Sequence, residues 1–350
     1  MPYRRSGLLE QQLSDEQVLN KSGFEISSQG VLPPLRKGYY YTVVGQAIAG
    51  DAPKDFIRAY TYGKAKRSNP RKWPAYIAKV GHKWYPNESI TEHLLTRIGQ
   101  LLGLQMAESF LVSAHGQVRF LSRYFLGRNQ NLVHGAEIFA GYLEDKDFVE
   151  EVEQAGATQD LFTFQFVEQA IQAQFPGQAS SILKGYTRMI AFDAIVGNND
   201  RHHYNWGVVV HRQRDHEPYF SPIYDSARAL FWNDSESKLQ AIEQDPDPER
   251  LPTFIDRYVK NSRPKTGWDD ENDPNHFSLI QNIHHAHPDL RPVLSALYLP
   301  QLLEGIQEIL DSEFRLLMST LRRKVILNCL KRRLNLIYDA LTEDIPCYRP

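Results

Sequence analysis

The sequence predicts an α+β chain in two lobes, a small antiparallel sheet with one helix and then a larger, mainly helical part. Three observations carry this. Up to residue 126, apolar residues fall in short β-rich runs interrupted by one amphipathic stretch. From Gly127 the apolar spacing turns helical. The chain has 350 residues, enough to bury two cores.

Residues 1–35 show no clear periodicity and end in VLPPL, which reads as an N-terminal extension or an interaction arm. Residues 36–126 form the expected N-lobe. Gly38–Gly45 and Phe56–Tyr62 read as strands by their aromatic and β-branched content. Pro74–Val80 (PAYIAKV) is a third strand, ending near Lys79. Asn87–Leu104 is an amphipathic helix: Leu94, Leu95, Ile98, Leu101 and Leu102 share one face, and Gly103 sits where a helix stops. Ser109–Ala114 and Val118–Phe125 are two more strands around His115 and Gly116.

Residues 127–350 form the expected C-lobe. Helices are expected at Gly135–Tyr142, Thr158–Ala173 and Ser180–Val196, the last almost wholly apolar from Lys184 and closed by Gly197. Trp206–Val210 and Tyr219–Tyr224 read as a hairpin turning at Gln213–Glu217. Gln244–Arg250 and Trp268–Pro274 are acidic, proline-containing loops. Helices resume at His276–His284, Pro300–Leu317 and Leu321–Leu341, and no repeat or low-complexity tract interrupts them.

The chemistry concentrates in Ile190–Trp206, IAFDAIVGNNDRHHYNW. The loop after the apolar helix holds Asp200 and, five residues on, Asn205; Asp225 follows beyond the hairpin, in PIYD. Phosphoryl transfer asks a protein for little covalent help. It needs a carboxylate to orient the attacking hydroxyl, oxygen donors for a metal ion and a cation on the phosphates. Mg2+ takes only one or two carboxylates from the protein. Asp200 suits the base, and Asn205 with Asp225 suits the metal, the hairpin returning Asp225 toward Asn205. A bare Asp-x4-Asn with a later Asp is weak and reads equally as a polar loop; the complete string is more specific.

GNNDRHHYNW followed by SPIYDSARAL resembles the catalytic and metal-binding segments of HipA-like serine/threonine kinases. Ser262–Ile280 also resembles a segment of compact HipA-like proteins. The DRHxxN wording is shared with phosphatidylinositol kinases, and DRHHY with secretory-pathway kinases. The resemblance implies a two-lobe protein-kinase-like fold, with ATP and Mg2+ as cofactors in the cleft between lobes. It implies that Lys79 holds phosphates and pairs with a helix acid. EHLLTRIGQLLGL picks Glu92 over Glu88 for that acid. Backbone near Leu121–Tyr124, with Arg123 among its residues, would read adenine as the hinge. The phosphate-covering loop is the poorest match, since no glycine-rich phosphate motif is present. The basic loop Gly63–Lys72 is the candidate, with Lys64, Lys66, Arg67 or Arg71 near phosphate, and Ser68 resembles the family's autophosphorylated serine. His202 is expected to order the catalytic loop and help neutralise phosphate. Asp193 is expected to brace the loop, because a buried unpaired carboxylate is costly. Arg201 suits an acidic or phosphorylated partner that the sequence does not identify.

Composition narrows the rest. Hydrophobic residues are 42% and charged residues 23%, ordinary for a globular protein. No apolar run spans a bilayer, and the N-terminus lacks the apolar core of a secretory signal. Two cysteines, Cys329 and Cys347, make neither a disulfide framework nor a zinc site. These features lead us to expect a cytoplasmic protein without a membrane partner. A net charge of −2 gives no sign of direct nucleic-acid binding. The basic run Arg315, Arg322, Arg323, Lys324, Lys331, Arg332 and Arg333 is expected to be a solvated helix face, with a partner surface as the alternative. His284, His285 and His287 lack any Cys or HExxH frame, so no metal is assigned to them. The expected function is an ATP- and Mg-dependent kinase acting on Ser or Thr of a protein substrate and on itself. Family members act as toxins paired with a DNA-binding antitoxin, so an antitoxin is the partner the resemblance implies. A lipid or small-molecule kinase and a nucleotide-binding pseudokinase are the alternatives.

Overall fold

A computed structural model describes residues 32–43, 54–61, 65–80, 87–114, 117–213, 216–298 and 301–342. Most of the expected N-terminal extension, Gly63 and Lys64 of the basic loop, the His115–Gly116 turn and Cys347 lie outside these residues. The chain divides into two compact units. The first gathers Met1–Leu126, Pro222–Pro252 and Ile306–Val325; the second gathers Gly127–Ser221, Thr253–Gly305 and Ile326–Pro350.

The first unit is built on a five-stranded antiparallel sheet. Its strands are β1 (Tyr40–Thr42), β2 (Lys54–Ala59), β3 (Ala75–Val80), β4 (Ser109–Ala114) and β5 (Gln117–Arg123), in the order β1-β2-β3-β5-β4. Strand alternation sends Tyr40, Ile57, Ala59, Tyr76, Ala78, Val112 and Leu121 into one apolar cluster. Helix α1 (Asn87–Leu101) packs on β4 and β5 and buries Ile90, Leu94, Leu95 and Ile98. Gly103 ends it as expected: at φ +71° it takes the left-handed conformation that glycine adopts without steric cost.

Register in this sheet positions the chemistry. Lys54 pairs with Lys79 and Arg58 with Ala75, so the β2–β3 connection leaves from the end of the ladder remote from Lys54 and Lys79. That connection folds onto the aromatic side of the strands. Tyr41 Oη donates to Pro70 O (3.1 Å), Trp73 Nε1 donates to Lys66 O (3.2 Å), and Arg67 stacks on Tyr39.

His93 on α1 makes the first unit acid-sensitive. Its Nδ1 lies 2.8 Å from Ser109 Oγ, and its ring packs against Phe314. Burial lowers its pKa to about 4; Glu313 opposes the shift and Arg97 adds to it. The unfolded chain therefore takes up a proton near the ordinary value of 6.5 while the folded chain does not. The sign follows: stability is unaffected above about pH 6.5 and falls as pH drops toward 4. Denaturant midpoints should show His93→Gln losing roughly 1 kcal/mol less per pH unit than the wild type in that window. Parallel pH profiles would overturn the assignment.

The second unit carries helices α2 (Gly135–Leu143), α3 (Lys146–Ala155), α4 (Thr158–Leu161), α5 (Phe164–Gln174) and α6 (Ala179–Val196). Its sheet is β6 (Gln130–His134), β7 (Gly207–His211) and β8 (Tyr219–Phe220), in that order. The return strand is shorter than Tyr219–Tyr224, and β6 lies just before the expected helix at Gly135, in a stretch to which the sequence assigned no element. The expected helix Thr158–Ala173 is two helices. Thr163 adopts an extended conformation, its hydroxyl accepts from Phe166 N–H (3.2 Å), and Phe164 N–H donates to Gly267 O (3.0 Å). A local cap and a long-range backbone bond outcompete helical continuation there.

Further helices follow: α7 (Glu236–Glu243), α8 (Arg250–Asn261), α9 (His276–Ala286), α10 (Arg291–Ser295), α11 (Leu302–Ser312) and α12 (Thr320–Thr342). No described helix is long and apolar enough to cross a membrane. The basic stripe of α12 corrects the expectation of a solvated face. Arg322 and Arg333 are buried, at 1% and 0% exposure. They lie about three helical turns apart, so one side of the helix carries both. Arg322 donates from Nε to Glu236 and from Nη1 to Phe231 O (3.1 Å). Arg333 donates to Ala194 O (2.8 Å) and to Ser262 Oγ (2.6 Å). Arg323, Lys324 and Arg332 pair with Asp311, Glu243 and Asp256.

Candidate active site

In the first unit, β3 delivers Lys79 and α1 delivers Glu92. Lys79 Nζ donates to Glu92 Oε1 at 2.7 Å and to Asp225 Oδ1 at 2.8 Å. The second oxygen of Asp225 accepts from Lys54 Nζ at 3.0 Å. All four side chains are sequestered, with exposures of 10% for Lys79, 6% for Glu92, 22% for Asp225 and 11% for Lys54. The chain reaches Asp225 along a short parallel bridge between Met106 and Ile223. Asp225 then takes φ +53°, a left-handed conformation that Asp tolerates better than most residues.

Two cations and two anions balance here, and the balance decides protonation. Burial disfavours a charged lysine, but Asp225 and Glu92 outweigh it, and the Lys79 pKa is raised. Burial also disfavours ionised Asp225, but Lys79 and Lys54 outweigh it and hold the carboxyl well below the usual carboxylate range. Glu92 differs: burial pushes it up to about 7, against the pull of Lys79. Asp225 is thus an anionic, hard-oxygen group, the donor type that Mg2+ selects.

In the second unit, α6 presents the loop Asn198–Asn205. Gly197 (φ +71°) closes the helix, its N–H donating to Asp193 O (2.8 Å). A Cβ there would also crowd Arg333 and Tyr258. Asp193 braces the loop, as expected. Its carboxylate accepts from Asn198 Nδ2 (2.9 Å), from Arg201 Nε (2.8 Å) and from Arg201 Nη2 (3.0 Å). The partner of Arg201 is therefore an acid eight residues earlier, which the sequence reading did not identify. Arg201 Nη1 also donates to Asn205 O (3.0 Å). Asn205 Nδ2 donates to Asp200 O (3.1 Å), and Asp200 N–H donates to Asn198 Oδ1 (3.1 Å). The Asn205 nitrogen is engaged with the loop, so its oxygen is the atom suited to a hard cation.

His202 lies in the same loop. Its Nδ1 accepts from Tyr204 N–H (3.3 Å) and its carbonyl from Asn205 N–H (2.8 Å). His203 is fully buried between Phe139 and Phe162. Burial lowers its pKa to about 3, so it is a neutral packing group at ordinary pH.

Other expected residues stand elsewhere. Ser68 sits in the β2–β3 connection, which leaves the ladder at the end remote from Lys54 and Lys79. In that connection Arg67 lies over the ring of Tyr39, and the Lys66 carbonyl accepts from Trp73. The residues expected at the hinge take part in the sheet. Leu121 lies inside the sheet between β3 and β4. Arg123 N–H donates to Glu108 O (2.7 Å) and Tyr124 N–H to Ala75 O (3.0 Å), so these amides already serve the fold. Side chains remain: the Tyr124 ring meets Phe56 edge-on at 4.9 Å, and Arg123 lies over Tyr76 at 5.5 Å.

Comparison with known proteins gives a consistent picture. The family model for the HipA-like C-terminal domain matches residues 47–275. No curated protein matches in sequence. Among solved structures, the Helicobacter pylori proinflammatory kinase CtkA is similar at TM-score 0.67 and 20% identity, covering 86% of this chain and 94% of that one. HipA of Shewanella oneidensis MR-1, solved with HipB and its operator DNA, is similar at TM-score 0.52 and 15% identity, covering 86% of this chain and 68% of that one.

Proposed function

The chain belongs to the HipA-like C-terminal domain family, and from that premise we propose that it is an ATP- and Mg-dependent kinase. Its acceptor is a Ser or Thr hydroxyl on a protein, itself included. One observation carries the reading: a buried strand lysine bonded at once to a helix glutamate and to an ionised aspartate. A strand lysine paired with a helix acid, and an aspartate reserved for the metal, are the parts that kinase chemistry requires.

The residues then divide the work. Lys79 supplies a permanent positive charge for the phosphates, and Glu92 fixes its direction. Asp225 and Asn205 are the donors suited to Mg2+, one charged and one neutral. When bound, the metal ion would neutralise phosphate charge and orient the transferred group. Asp200 orients the acceptor hydroxyl and takes its proton. His202 orders the loop that carries Asp200.

Incubation with radiolabelled ATP and Mg2+ tests this directly. Label should enter Ser or Thr of protein. Label in lipid vesicles alone would favour lipid phosphorylation, and nucleotide binding without transfer would favour a pseudokinase. Asp225→Ala should weaken Mg-dependent ATP binding by at least about tenfold, the loss of one charged contact. Unchanged affinity by calorimetry would remove Asp225 from the metal. By likeness to the HipA–HipB assembly, an antitoxin is the partner to seek, through neighbouring reading frames and co-purification.

A further inference from the structure

Arg322 lies in the first turn of α12, and its buried guanidinium reaches two other pieces of the first unit. Nε donates to the Glu236 carboxylate, which also accepts from Ser319 Oγ (2.6 Å). Nη1 donates to Phe231 O (3.1 Å), and Nη2 donates to Asp234 O. The Asn87 amide, its oxygen turned to the guanidinium, accepts from Nη2 at 2.9 Å. Arginine only donates, so the oxygen is the amide atom that belongs there. Asn87 opens α1, the helix that carries Glu92 one turn further on. Phe231, Asp234 and Glu236 belong to the segment that follows Asp225.

The stretch that Arg322 grips is strained. Leu230 and Phe231 take φ +51° and +60° in succession. Bulky residues seldom adopt that left-handed region, and two in a row persist only when their surroundings hold them. Both side chains are buried, and Arg322 binds the Phe231 carbonyl. Asp225 is left-handed too, so the direction of its carboxylate depends on how the chain beyond it is held. A second link joins the same two pieces: Arg228 Nε lies 3.9 Å from Glu88 Oε1. The Arg228 side chain is 43% exposed, so this link is weak beside the buried one. We propose that Arg322 is a positioning residue. With Asn87, it ties the helix bearing Glu92 to the segment following Asp225, and so fixes where both acids meet Lys79. This rests on the reading of Asp225 as a metal donor and deepens it. Arg322 itself touches neither nucleotide nor metal.

Two variants of the full chain test the tie. Arg322→Lys keeps the buried charge opposite Glu236, but one ammonium cannot span the planar fork. Asn87→Ala removes the α1 end and leaves the other bonds of Arg322 in place. In protein free of metal and nucleotide, amide hydrogen exchange should rise across residues 226–235 in Arg322→Lys, and in the first turn of α1 in both variants. In calorimetric titrations below each unfolding midpoint, both should raise the Mg2+ concentration for half-maximal ATP binding. The rise should be about tenfold or more, as when a group that orients a metal ligand is lost. ATP affinity in EDTA should stay near wild type, because the direct Lys79–Glu92 bond remains. A lower unfolding midpoint with an unmoved Mg2+ requirement would mark Arg322 as structural only and overturn the proposal. So would unchanged exchange across residues 226–235. If Arg322→Lys does not fold, Asn87→Ala carries the test by the same two readouts. If wild-type ATP binding ignores Mg2+, the metal reading of Asp225 falls and this inference with it. A wild-type response that the variants leave unmoved sinks this inference alone.

Discussion

Asp200→Asn should lose phosphoryl transfer by about a hundredfold to ten-thousandfold, the usual contribution of a positioned general base. Nucleotide affinity should stay near wild type. The two effects separate because of how the loop is built. Asp200 enters the loop's hydrogen bonding through its backbone: its N–H donates to Asn198 and its carbonyl accepts from Asn205. An amide at this position keeps both backbone bonds and nearly the same shape, and it removes the negative oxygen that would accept a proton. The cluster of Lys79, Glu92 and Asp225 does not include this residue. Single-turnover transfer from radiolabelled ATP, alongside calorimetric ATP binding, checks both halves. Wild-type transfer in Asp200→Asn would remove Asp200 as the base. A parallel collapse of ATP affinity would show instead that the substitution unfolds the loop.

How much of this was legible in the sequence depends on the range of the interaction concerned. The α1 helix, its glycine stop and the apolar helix closing at Gly197 were readable because local spacing and φ preference determine them. Lys79 and Glu92 were readable as a strand lysine followed by a helix acid. Lys54 was not, because its meaning lies in register: only pairing with Lys79 places it at Asp225. Nor does loop composition say at which end of a ladder the loop with Ser68 leaves. Arg322 and Arg333 were misread because burial of a guanidinium depends on carbonyl and carboxylate partners far away in sequence. Local pattern likewise does not reveal that Pro222–Pro252 and Ile306–Val325 cluster with the first unit, since those contacts are long-range.

Breaking the Asp193–Arg201 pair should produce the largest loss of stability. Both side chains are 2% exposed, and the guanidinium meets the carboxylate through two nitrogens. Removing one partner of such a pair leaves a buried charge without compensation, at a cost of about 3–5 kcal/mol. Arg201→Met should therefore lower the unfolding free energy from denaturant titration by that amount and cut transfer activity, because Arg201 also holds the Asn205 carbonyl. A double variant separates stability from function. Replacing both members by apolar residues removes the stranded charge, so Asp193→Leu with Arg201→Met should recover part of the stability. Activity should not recover, because Asn198 loses its bond to Asp193 and Asn205 loses its bond to Arg201. That split is the signature of a network retained to hold Asp200 and Asn205 in place. Recovery of activity together with stability would show that the pair serves folding alone, and loop geometry would then have to come from Gly197 and the packing of His203.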